Sequence, residues 1–380
     1  MNTKRRIGID LSFVRPDHKN GGTETYVKNL MHGFETIGVC DDIVYFIHED
    51  IYRDYKKEYP KSKFIIYKGK GNHKLRMIMF QTFMLPKLVK KYGVKLVYEP
   101  TYTSGLRLKC DYFVVSNPED LQFKFYPEYF GKIRWWYINI MMWITFRKSD
   151  CVIAFTEYVE KTLHQFYHKL LKGKTKTLYL PIRFILDGAG SEKVDGIDYR
   201  YVLSVNALRK NKNLITLLKA FEKIADKVEE KLVFAGIKQD DADSLLQYVE
   251  THNLKDKVVF LDFITDIQLK WLFENASVFV TPSLYEGFGM SPVEAMGYGC
   301  PTISSMETSL KEVTEGRAIY YEPAKDYNVL ADKIEKVLNN KILIDIQANK
   351  DAMRKKYEIC TVSKDYYDFF RKIIEEKRTQ

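Results

Sequence analysis

The sequence predicts an α/β protein built from two Rossmann-like domains in tandem. Two successive sets of short apolar runs alternate with helical patterns, and the two sets are separated by a break near Pro181. Alternation of this kind is typical of parallel sheets that are covered by helices on both faces. The 380 residues are enough for two domains, and a hydrophobic content of 46% excludes a largely disordered chain.

The first set of apolar runs predicts an N-terminal domain over residues 1–180. Its predicted strands are Ile7–Leu11, Ile43–Ile47, Phe64–Tyr67, Leu96–Tyr98, Tyr112–Val115, Val152–Phe155 and Thr177–Leu180. Between the strands, apolar residues at helical spacing predict two amphipathic helices. The apolar face of the first consists of Tyr26, Val27, Leu30, Met31 and Phe34, and that of the second consists of Leu75, Ile78, Met79 and Phe83.

The second set predicts a C-terminal domain over residues 200–357, after a linker at 181–199. The linker contains glycines and acids without a clear period, as in Leu186–Glu192. The predicted strands are Tyr201–Val205, Lys231–Ala235, Val258–Leu261, Ser277–Thr281 and Thr302–Ser304. The remaining residues, 358–380, predict a final helix with Tyr366, Tyr367, Phe370 and Ile373 on its apolar face.

Charge is distributed unevenly along the chain. Residues 1–180 hold 31 Lys and Arg against 18 Asp and Glu, whereas residues 181–380 hold 29 against 32. Within the first half, residues 61–109 contain 12 basic residues and a single acid, Glu99. Such a stretch attracts phosphate polymers, anionic membranes or phosphorylated acceptors, although a merely solvated basic surface explains it equally well. Five scattered cysteines, and no apolar leader in Met1–Arg6, predict a cytoplasmic protein.

The most informative stretch is Tyr285–Glu294, in which seven residues separate Glu286 from Glu294. It follows the apolar run Ser277–Thr281, and the residues after it, Ala295–Pro301, predict a short helix ended by glycine and proline. A glycine-rich loop therefore lies between the carboxyl end of a strand and a helix N-terminus, where open α/β sheets bind ligands. Its backbone N–H groups and the helix dipole suit anionic or hydroxyl-rich ligands.

A purely structural interpretation of the same residues competes with this one. Ser291, Pro292 and Glu294 fit the N-cap, N1 and N3 positions of a capping box. Glu294 would then only cap its own helix, and the two glutamates would share no ligand.

Residues 277–322 resemble the retaining glycosyltransferases of the GT-B fold that carry a Glu-x7-Glu signature (glycosyltransferase family 4, or group 1 type). The matching strings are Pro282–Gly289, Glu294–Met296 and Gly299–Pro301. Met290 and Ser291 stand where the family often has Leu-Pro. The resemblance extends over nearly the whole chain. It implies two Rossmann-like domains facing each other across a cleft, with the last helix crossing back to the first domain.

The resemblance implies that the C-terminal domain binds a nucleotide-sugar donor. Glu294 would accept hydrogen bonds from the ribose. Glu286 would hold hydroxyls of the transferred sugar, and the donor-binding loop would supply backbone groups from Gly287, Phe288, Gly289 and Met290.

A lysine on a second loop completes the implied donor site. Lys212 and Asn213 match the Lys-Asn pair of the family at the start of a helix, and the Lys212 cation would offset the charge of the leaving diphosphate. Asn206 and Ala207 stand where many members have a Gly and then an Arg. Arg209 or Lys210 could replace that arginine, although the better prediction for both is a solvated side chain.

Two loops of the N-terminal domain are further site candidates. Gly21 and Gly22 lie between a predicted strand and a helix, where the family places a Gly-Gly loop against the donor diphosphate; a plain turn is the alternative. Glu119, Asp120 and Leu121 hold the place of a His-Asp-Leu string of one subgroup, so Glu119 replaces the histidine. Asp120 would line the site, and a polar loop without a role is the alternative.

The segment Arg134–Arg147 is aromatic, apolar and flanked by cations, and it holds three of the four tryptophans. Its apolar span is too short to cross a bilayer, which needs about 18 residues or more. An interfacial position, with rings at the lipid headgroups, and a core helix beneath the N-terminal sheet are both compatible with this composition.

The function implied is transfer of a hexose, mannose or a similar sugar, from a GDP-, UDP- or dTDP-sugar to a glycan or lipid-linked acceptor in cell-surface polysaccharide synthesis. The resemblance implies retention of configuration, neither cofactor nor metal, and Glu286, Lys212 and Asp120 as catalytic residues. The basic N-terminal domain is expected to contact the inner face of the cell membrane peripherally, and nucleic acid is not an expected partner. The alternatives are a non-catalytic phosphate-polymer or membrane-binding protein on a degenerate GT-B scaffold, or a sugar-nucleotide epimerase.

Overall fold

The structure, a computed structural model, describes residues 6–18, 20–185, 190–262 and 264–376. The chain divides into two compact units at positions 183/184 and 356/357, so the C-terminal helix belongs to the first unit. Parts of three sequence predictions lie outside the described residues: Met1–Arg5 of the N-terminus, Leu186–Ala189 of the linker and residues 377–380 of the final helix.

Strands and helices alternate along both units. The strands are β1 (Ile7–Asp10), β2 (Ile43–His48), β3 (Phe64–Tyr67), β4 (Leu96–Glu99), β5 (Phe113–Ser116), β6 (Cys151–Ala154), β7 (Thr175–Thr177), β8 (Tyr201–Val205), β9 (Lys231–Ala235), β10 (Val258–Leu261), β11 (Val278–Thr281), β12 (Thr302–Ser305) and β13 (Ile319–Tyr321).

The helices cover both faces of the sheets, as short parallel strands require. They are α1 (Gly22–Thr36), α2 (Glu49–Glu58), α3 (His73–Met79), α4 (Leu85–Tyr92), α5 (Gln122–Phe125), α6 (Lys132–Lys148), α7 (Glu157–Leu171), α8 (Leu214–Glu222), α9 (Ala242–Thr251), α10 (Asp266–Asn275), α11 (Met290–Gly297), α12 (Leu310–Val313), α13 (Tyr327–Leu338), α14 (Ile346–Lys356) and α15 (Ile359–Glu376).

Each unit contains one parallel sheet with the same doubly wound order at its centre. The first sheet runs β3-β2-β1-β4-β5-β6-β7 and the second runs β10-β9-β8-β11-β12-β13. In both sheets the order reverses beside the first strand of the unit, between β1 and β4 and between β8 and β11. The prediction of two Rossmann-like domains is therefore confirmed.

The final helix packs within the first unit. Gly33 of α1 lies so close to Ser363 of α15 that a Cβ at position 33 would come within 1.9 Å of the serine Oγ. Tyr366 of α15 donates a hydrogen bond to the Leu178 carbonyl at 3.2 Å. Its ring is fully buried, and the Phe370 ring is buried beside it.

Two strand predictions differ from the structure. The last strand of the first sheet is Thr175–Thr177 rather than Thr177–Leu180. Strand β13, which the sequence analysis missed, is only three residues long and pairs with the edge of β12. Short edge strands carry few apolar residues, so their period-2 pattern is weak.

The predicted apolar face of Leu75, Met79 and Phe83 points outward rather than into the core. These side chains are 62%, 49% and 50% exposed. The chain forms a π-helical turn at Phe80–Met84, and this extra residue per turn brings Gln81 inward. Gln81 donates a 2.8 Å hydrogen bond to the buried Asp10 carboxyl, which burial holds at a raised pKa.

Candidate active site

The candidate site of the second unit lies at the switch point of its sheet. Strands β8 and β11 are neighbours there, and β9 lies on one side while β12 lies on the other. Loops that leave the carboxyl ends of two such strands run in opposite directions and leave a crevice between them. The loop after β8 spans residues 206–213, and the loop after β11 spans residues 282–289.

Backbone and amide groups join these two loops. The Leu284 N–H donates to the Asn211 carbonyl at 2.8 Å. The buried Asn213 side chain donates to the carbonyls of Pro282 and Ala324 at 3.1 and 2.9 Å. Because each bond replaces water at a buried carbonyl, the loops are held in one arrangement without a contribution from any ligand.

The most important contact of the site joins Lys212 to Glu286. The Lys212 Nζ atom donates to the Glu286 Oε1 atom at 2.6 Å, and the Ser283 hydroxyl donates to the same oxygen at 2.7 Å. The two charged side chains are only 18% and 13% exposed. A half-enclosed cation and carboxylate on facing loops are suited to a ligand that carries both an anionic group and hydroxyls.

Three hydroxyl residues fix the backbone of the loop that bears Glu286. Thr308 accepts the Glu286 N–H at 3.0 Å, and the Ser309 hydroxyl donates to the carbonyls of Glu286 and Phe288 at 2.9 and 3.0 Å. The Ser305 hydroxyl donates to the Ser283 carbonyl at 2.6 Å. The sequence analysis missed these residues, and their only signal is their place at the carboxyl end of β12 and in the loop that follows it.

Helix α11 begins at Met290, with Gly289 as its N-cap residue and no side-chain cap. Ser291 and Pro292 therefore occupy N2 and N3, and Glu294 occupies N5. The capping-box interpretation of Glu294 is wrong, since that interaction requires the glutamate at N3. Gly289 adopts φ 91°, and a Cβ there would come within 2.8 Å of Leu310 Cδ2, so both the backbone and the close packing require glycine.

Helix α11 contains one acid, Glu294, and the pKa of its carboxyl is raised. Desolvation by burial, and secondly the charge of Asp266, raise the pKa of its carboxyl to about 7. Hydroxyl groups of a ligand that donate to this carboxylate would favour its charged form and lower its pKa.

The two basic residues that could replace the missing family arginine are exposed. Arg209 donates its Nε–H to Gln239 at 2.6 Å. This contact favours the predicted solvated role of Arg209 over a second cation of the site. Lys210 is the first residue of a short helical turn, Lys210–Lys212, and Lys212 is its last residue.

In the first unit, the Gly21–Gly22 turn opens helix α1. Gly21 is the N-cap residue, with φ 61° and ψ −140°, a conformation that is accessible almost only to glycine. Glu24, in the first turn of the helix, is buried and accepts hydrogen bonds from His18 Nδ1 at 2.6 Å and from the Tyr55 hydroxyl at 3.2 Å. These two hydrogen bonds to Glu24 fix the first turn of α1, which follows the Gly21–Gly22 turn.

Glu119 lies beside this turn. The Thr23 hydroxyl donates to Glu119 Oε1 at 2.6 Å, which connects the loop after β1 to the loop after β5. Glu119 has φ 64°, and Asn117 accepts its N–H at 2.8 Å. The Asp120 carboxylate accepts the Gln122 N–H at 2.9 Å at the start of α5. Glu119, on the loop after β5, thus contacts the first turn of the helix that the Gly-Gly turn opens.

Comparison with known proteins agrees with this architecture. Residues 192–358 match the family model described as glycosyl transferases group 1. The chain is 28% identical over 249 residues to an uncharacterized glycosyltransferase of Methanocaldococcus jannaschii, which covers 62% of this chain and 63% of that protein. The second unit is therefore similar to the group 1 glycosyltransferases.

The chain is also similar to the O-antigen chain mannosyltransferase RfbU of Salmonella typhimurium. It is 37% identical over 123 residues, 32% of this chain and 34% of that protein. The matched regions therefore span less than two thirds of the length of either relative.

Solved structures show the GT-B fold over almost the whole chain. Sucrose-phosphate synthase from Thermosynechococcus elongatus superposes with a TM-score of 0.76 at 20% identity, covering 97% of this chain and 99% of that one. HepE of Anabaena, solved in complex with UDP and glucose, superposes with a TM-score of 0.74 at 15% identity and also covers 97% of this chain and 99% of that one. At this level of identity the likeness concerns the fold alone.

The structure brings seven of the predicted site residues together in the second unit: Lys212, Glu286, Gly287, Phe288, Gly289, Met290 and Glu294. Gly21, Gly22 and Asp120 lie in the first unit, where Thr23 and Glu119 connect their loops. Among the described residues, no group of three His, Cys, Asp or Glu side chains is placed to hold a metal ion. No described helix is both long and apolar enough to cross a membrane.

Proposed function

We propose that this protein is a group 1 glycosyltransferase that transfers a hexose, mannose or a similar sugar, from a nucleotide diphosphate sugar to a glycan or lipid-linked acceptor in cell-surface polysaccharide synthesis. In the reaction, the bond between the anomeric carbon and the β-phosphate oxygen breaks, and the nucleoside diphosphate leaves with the electron pair. The acceptor hydroxyl oxygen forms the new bond to the anomeric carbon, and its proton passes to the departing phosphate oxygen. Retention of configuration, independence of metal and a place at the inner face of the membrane are parts of the proposal.

The observation that carries the proposal is the 2.6 Å contact between Lys212 and Glu286 on the two loops of the switch point. A diphosphate competes with Glu286 for the lysine cation, and a sugar hydroxyl can then replace the lysine as donor to the glutamate. After the exchange, Lys212 faces the diphosphate and Glu286 still accepts hydrogen bonds, so neither buried charged group is left without a partner. Lys212 would then stabilise the negative charge that develops on the leaving phosphate oxygen.

The other residues have supporting roles in the proposal. Glu294 accepts hydrogen bonds from the ribose, and the backbone of residues 287–290 approaches the sugar. The Gly21–Gly22 turn offers N–H groups of a helix N-terminus to the diphosphate. Asp120 lines the acceptor side, and Glu286 acts by holding hydroxyls rather than as a covalent nucleophile.

Mannose is supported by relatives rather than by a residue of the site. Besides RfbU, the O-antigen chain mannosyltransferase B of Escherichia coli is 32% identical over 125 residues. The structural neighbour HepE was solved with UDP and glucose. The nucleotide base therefore has to be measured directly.

A thermal-shift panel of GDP, UDP, dTDP, ADP and their sugars, each with and without EDTA, tests the proposal. A ligand at 100 times its dissociation constant stabilises by about 2.7 kcal/mol, which amounts to a shift of several degrees. We expect one nucleotide to raise the melting temperature, and EDTA to leave the shift unchanged. A shift that EDTA removes would contradict metal independence, and no shift with any nucleotide would favour the non-catalytic alternative.

A further inference from the structure

The Glu286 carboxylate makes both of its contacts with the protein through one of its two oxygens. Oε1 accepts from Lys212 Nζ at 2.6 Å and from the Ser283 hydroxyl at 2.7 Å. Within the part of the chain that the structure describes, Oε2 has no hydrogen-bond or ion-pair partner. Each carboxylate oxygen has about two acceptor positions, so Oε1 is saturated and Oε2 is the oxygen left for a ligand hydroxyl.

The direction of the hydrogen bonds around Ser283 follows from the chemistry of its neighbours. A carboxylate only accepts, so Ser283 must donate its single proton to Oε1 of Glu286. The Thr281 hydroxyl, 3.4 Å from the Ser283 oxygen, is then left as the donor of that pair. Ser283 and Thr281 are both buried, so bulk water does not compete for these hydroxyls.

The backbone is fixed at both ends of the hydrogen bond from Ser283 to Glu286. The Ser305 hydroxyl donates to the Ser283 carbonyl at 2.6 Å. Thr308 accepts the Glu286 N–H, and Ser309 donates to the Glu286 carbonyl. Ser283 and Glu286 are three residues apart, so the side-chain bond closes a short ring between two fixed points. The glutamate side chain therefore loses its conformational entropy before a ligand arrives.

Lys212 cannot keep Glu286 in place during the proposed exchange, because its cation then faces the diphosphate. Among the described residues, Ser283 is the one side chain that still donates to the carboxylate at that stage. Without this bond the carboxylate could rotate about its side-chain torsions, and Oε2 would leave the position where a sugar hydroxyl meets it. Orientation of the ligand would be lost with it.

We propose that Ser283 is a positioning residue, whose hydroxyl holds Oε1 of Glu286 so that Oε2 faces the transferred sugar. The inference rests on the proposed function, because it requires a nucleotide-sugar donor at Glu286. Ser283 acts through Glu286 and touches no part of the nucleotide. Its removal should therefore weaken the contribution of the sugar to binding and leave the contribution of the nucleotide unchanged.

Isothermal titration calorimetry of the full-length protein with matched ligands tests this role. The ligand pairs are GDP with GDP-mannose and UDP with UDP-glucose. For the pair that wild type binds, Ser283→Ala should weaken binding of the nucleotide sugar about tenfold, the usual effect of losing a hydrogen bond to a charged group. Binding of the bare nucleotide should stay within about twofold of wild type, since it makes no contact through Glu286 Oε2.

Thr281→Val is the matched control, because it removes a buried hydroxyl two residues from Ser283 and leaves the donor to Glu286 in place. It should bind both ligands of the pair as wild type does, and circular dichroism melting checks that both variants are folded. Equal weakening of nucleotide and nucleotide sugar in Ser283→Ala would indicate a general disturbance of the loop and overturn the positioning role. So would wild-type affinity of Ser283→Ala for the nucleotide sugar. A wild type that binds none of the four ligands would instead contradict the proposed function, and the inference with it.

Discussion

The loop after β11 in the second unit and the Gly-Gly turn in the first unit hold their candidate residues by different means. Hydroxyls of Ser283, Ser305 and Ser309 fix the first loop, and its glutamate already contacts Lys212. The turn in the first unit is fixed by a buried carboxylate, Glu24, and by Thr23 with Glu119. The first arrangement follows the family string, whereas the second includes a departure from it at Glu119.

This difference indicates a division of tasks. A site that is already ordered loses little entropy when a ligand binds, so the loop after β11 is suited to binding the donor of the proposed reaction. The first unit, in which Glu119 connects the loop after β5 to the Gly-Gly turn, is then left to bind the acceptor.

The largest expected effect is at the ion pair. Lys212→Ala should lower kcat by about 10²- to 10³-fold, the usual cost of removing one group that stabilises developing negative charge. Lys210→Ala, two residues away and exposed, is the matched control and should keep near-wild-type activity. The measurement is nucleotide release from the donor sugar identified by thermal shift. Equal losses in both variants would contradict a specific role for Lys212.

The two glycine turns should differ in their tolerance of a side chain. Gly289→Ala should destabilise by about 2 to 4 kcal/mol, because the positive φ strains the backbone and the Cβ meets Leu310. Gly21→Ala should cost only about 1 to 2 kcal/mol, because open space surrounds that position and backbone strain alone remains. Urea denaturation measures the free energy of unfolding of both variants. An equal loss in the two variants would contradict the predicted difference between the two turns.

Glu294→Gln should change how stability depends on pH. A carboxyl whose pKa rises on folding, here to about 7 from 4.5, contributes stability below pH 4.5 that is lost as pH rises to about 7. Between pH 5 and 8, the free energy of unfolding of the variant should therefore rise relative to that of wild type, by at most about 3 kcal/mol. Glu229→Gln, an exposed change, serves as control. A constant difference across this range would show that Glu294 does not titrate there.

The smallest expected effect is at the connection between the Gly-Gly turn and Glu119. Thr23→Val keeps the shape of the side chain but removes the hydroxyl that donates to Glu119, which should cost about 1 kcal/mol. Calorimetry should show a decrease of about 2 to 4 °C in the melting temperature. Thr25→Val, at an exposed position on the same helix, should change it less.

Much of the site could be predicted because its residues are neighbours in the sequence. Glu286, Gly289 and Glu294 lie within nine positions of one loop and helix, so their spacing alone placed them together. The capping box was a reasonable alternative that failed because the helix begins at Met290. The supporting residues Ser305, Thr308 and Ser309 could not be predicted, since they come from the end of β12 and the loop after it, and only the sheet order brings them close.

The solvent-facing sides of α3 and α6 show that apolar periodicity alone does not identify which side of a helix is buried. The pattern of Leu75, Met79 and Phe83 indicated a shared helical face, and the composition of Arg134–Arg147 fitted either a core or an interface. Both helices have apolar residues on more than one side, so hydrophobicity does not specify which side is buried. The π-helical turn and the position of the loop after β4 decided it.

By itself the sequence determined the local structure: two sets of alternating strands and helices, the glycine turns, and the donor loop with its glutamates. These depend on backbone preferences and on periods of two and 3.6 residues, which act between near neighbours. Only the tertiary structure decided that Lys212 meets Glu286, that Thr23 meets Glu119, and that Trp136 and Ile140 of α6 face solvent. Those outcomes depend on strand order and on which surfaces remain uncovered, and both are properties of the packed chain rather than of any segment.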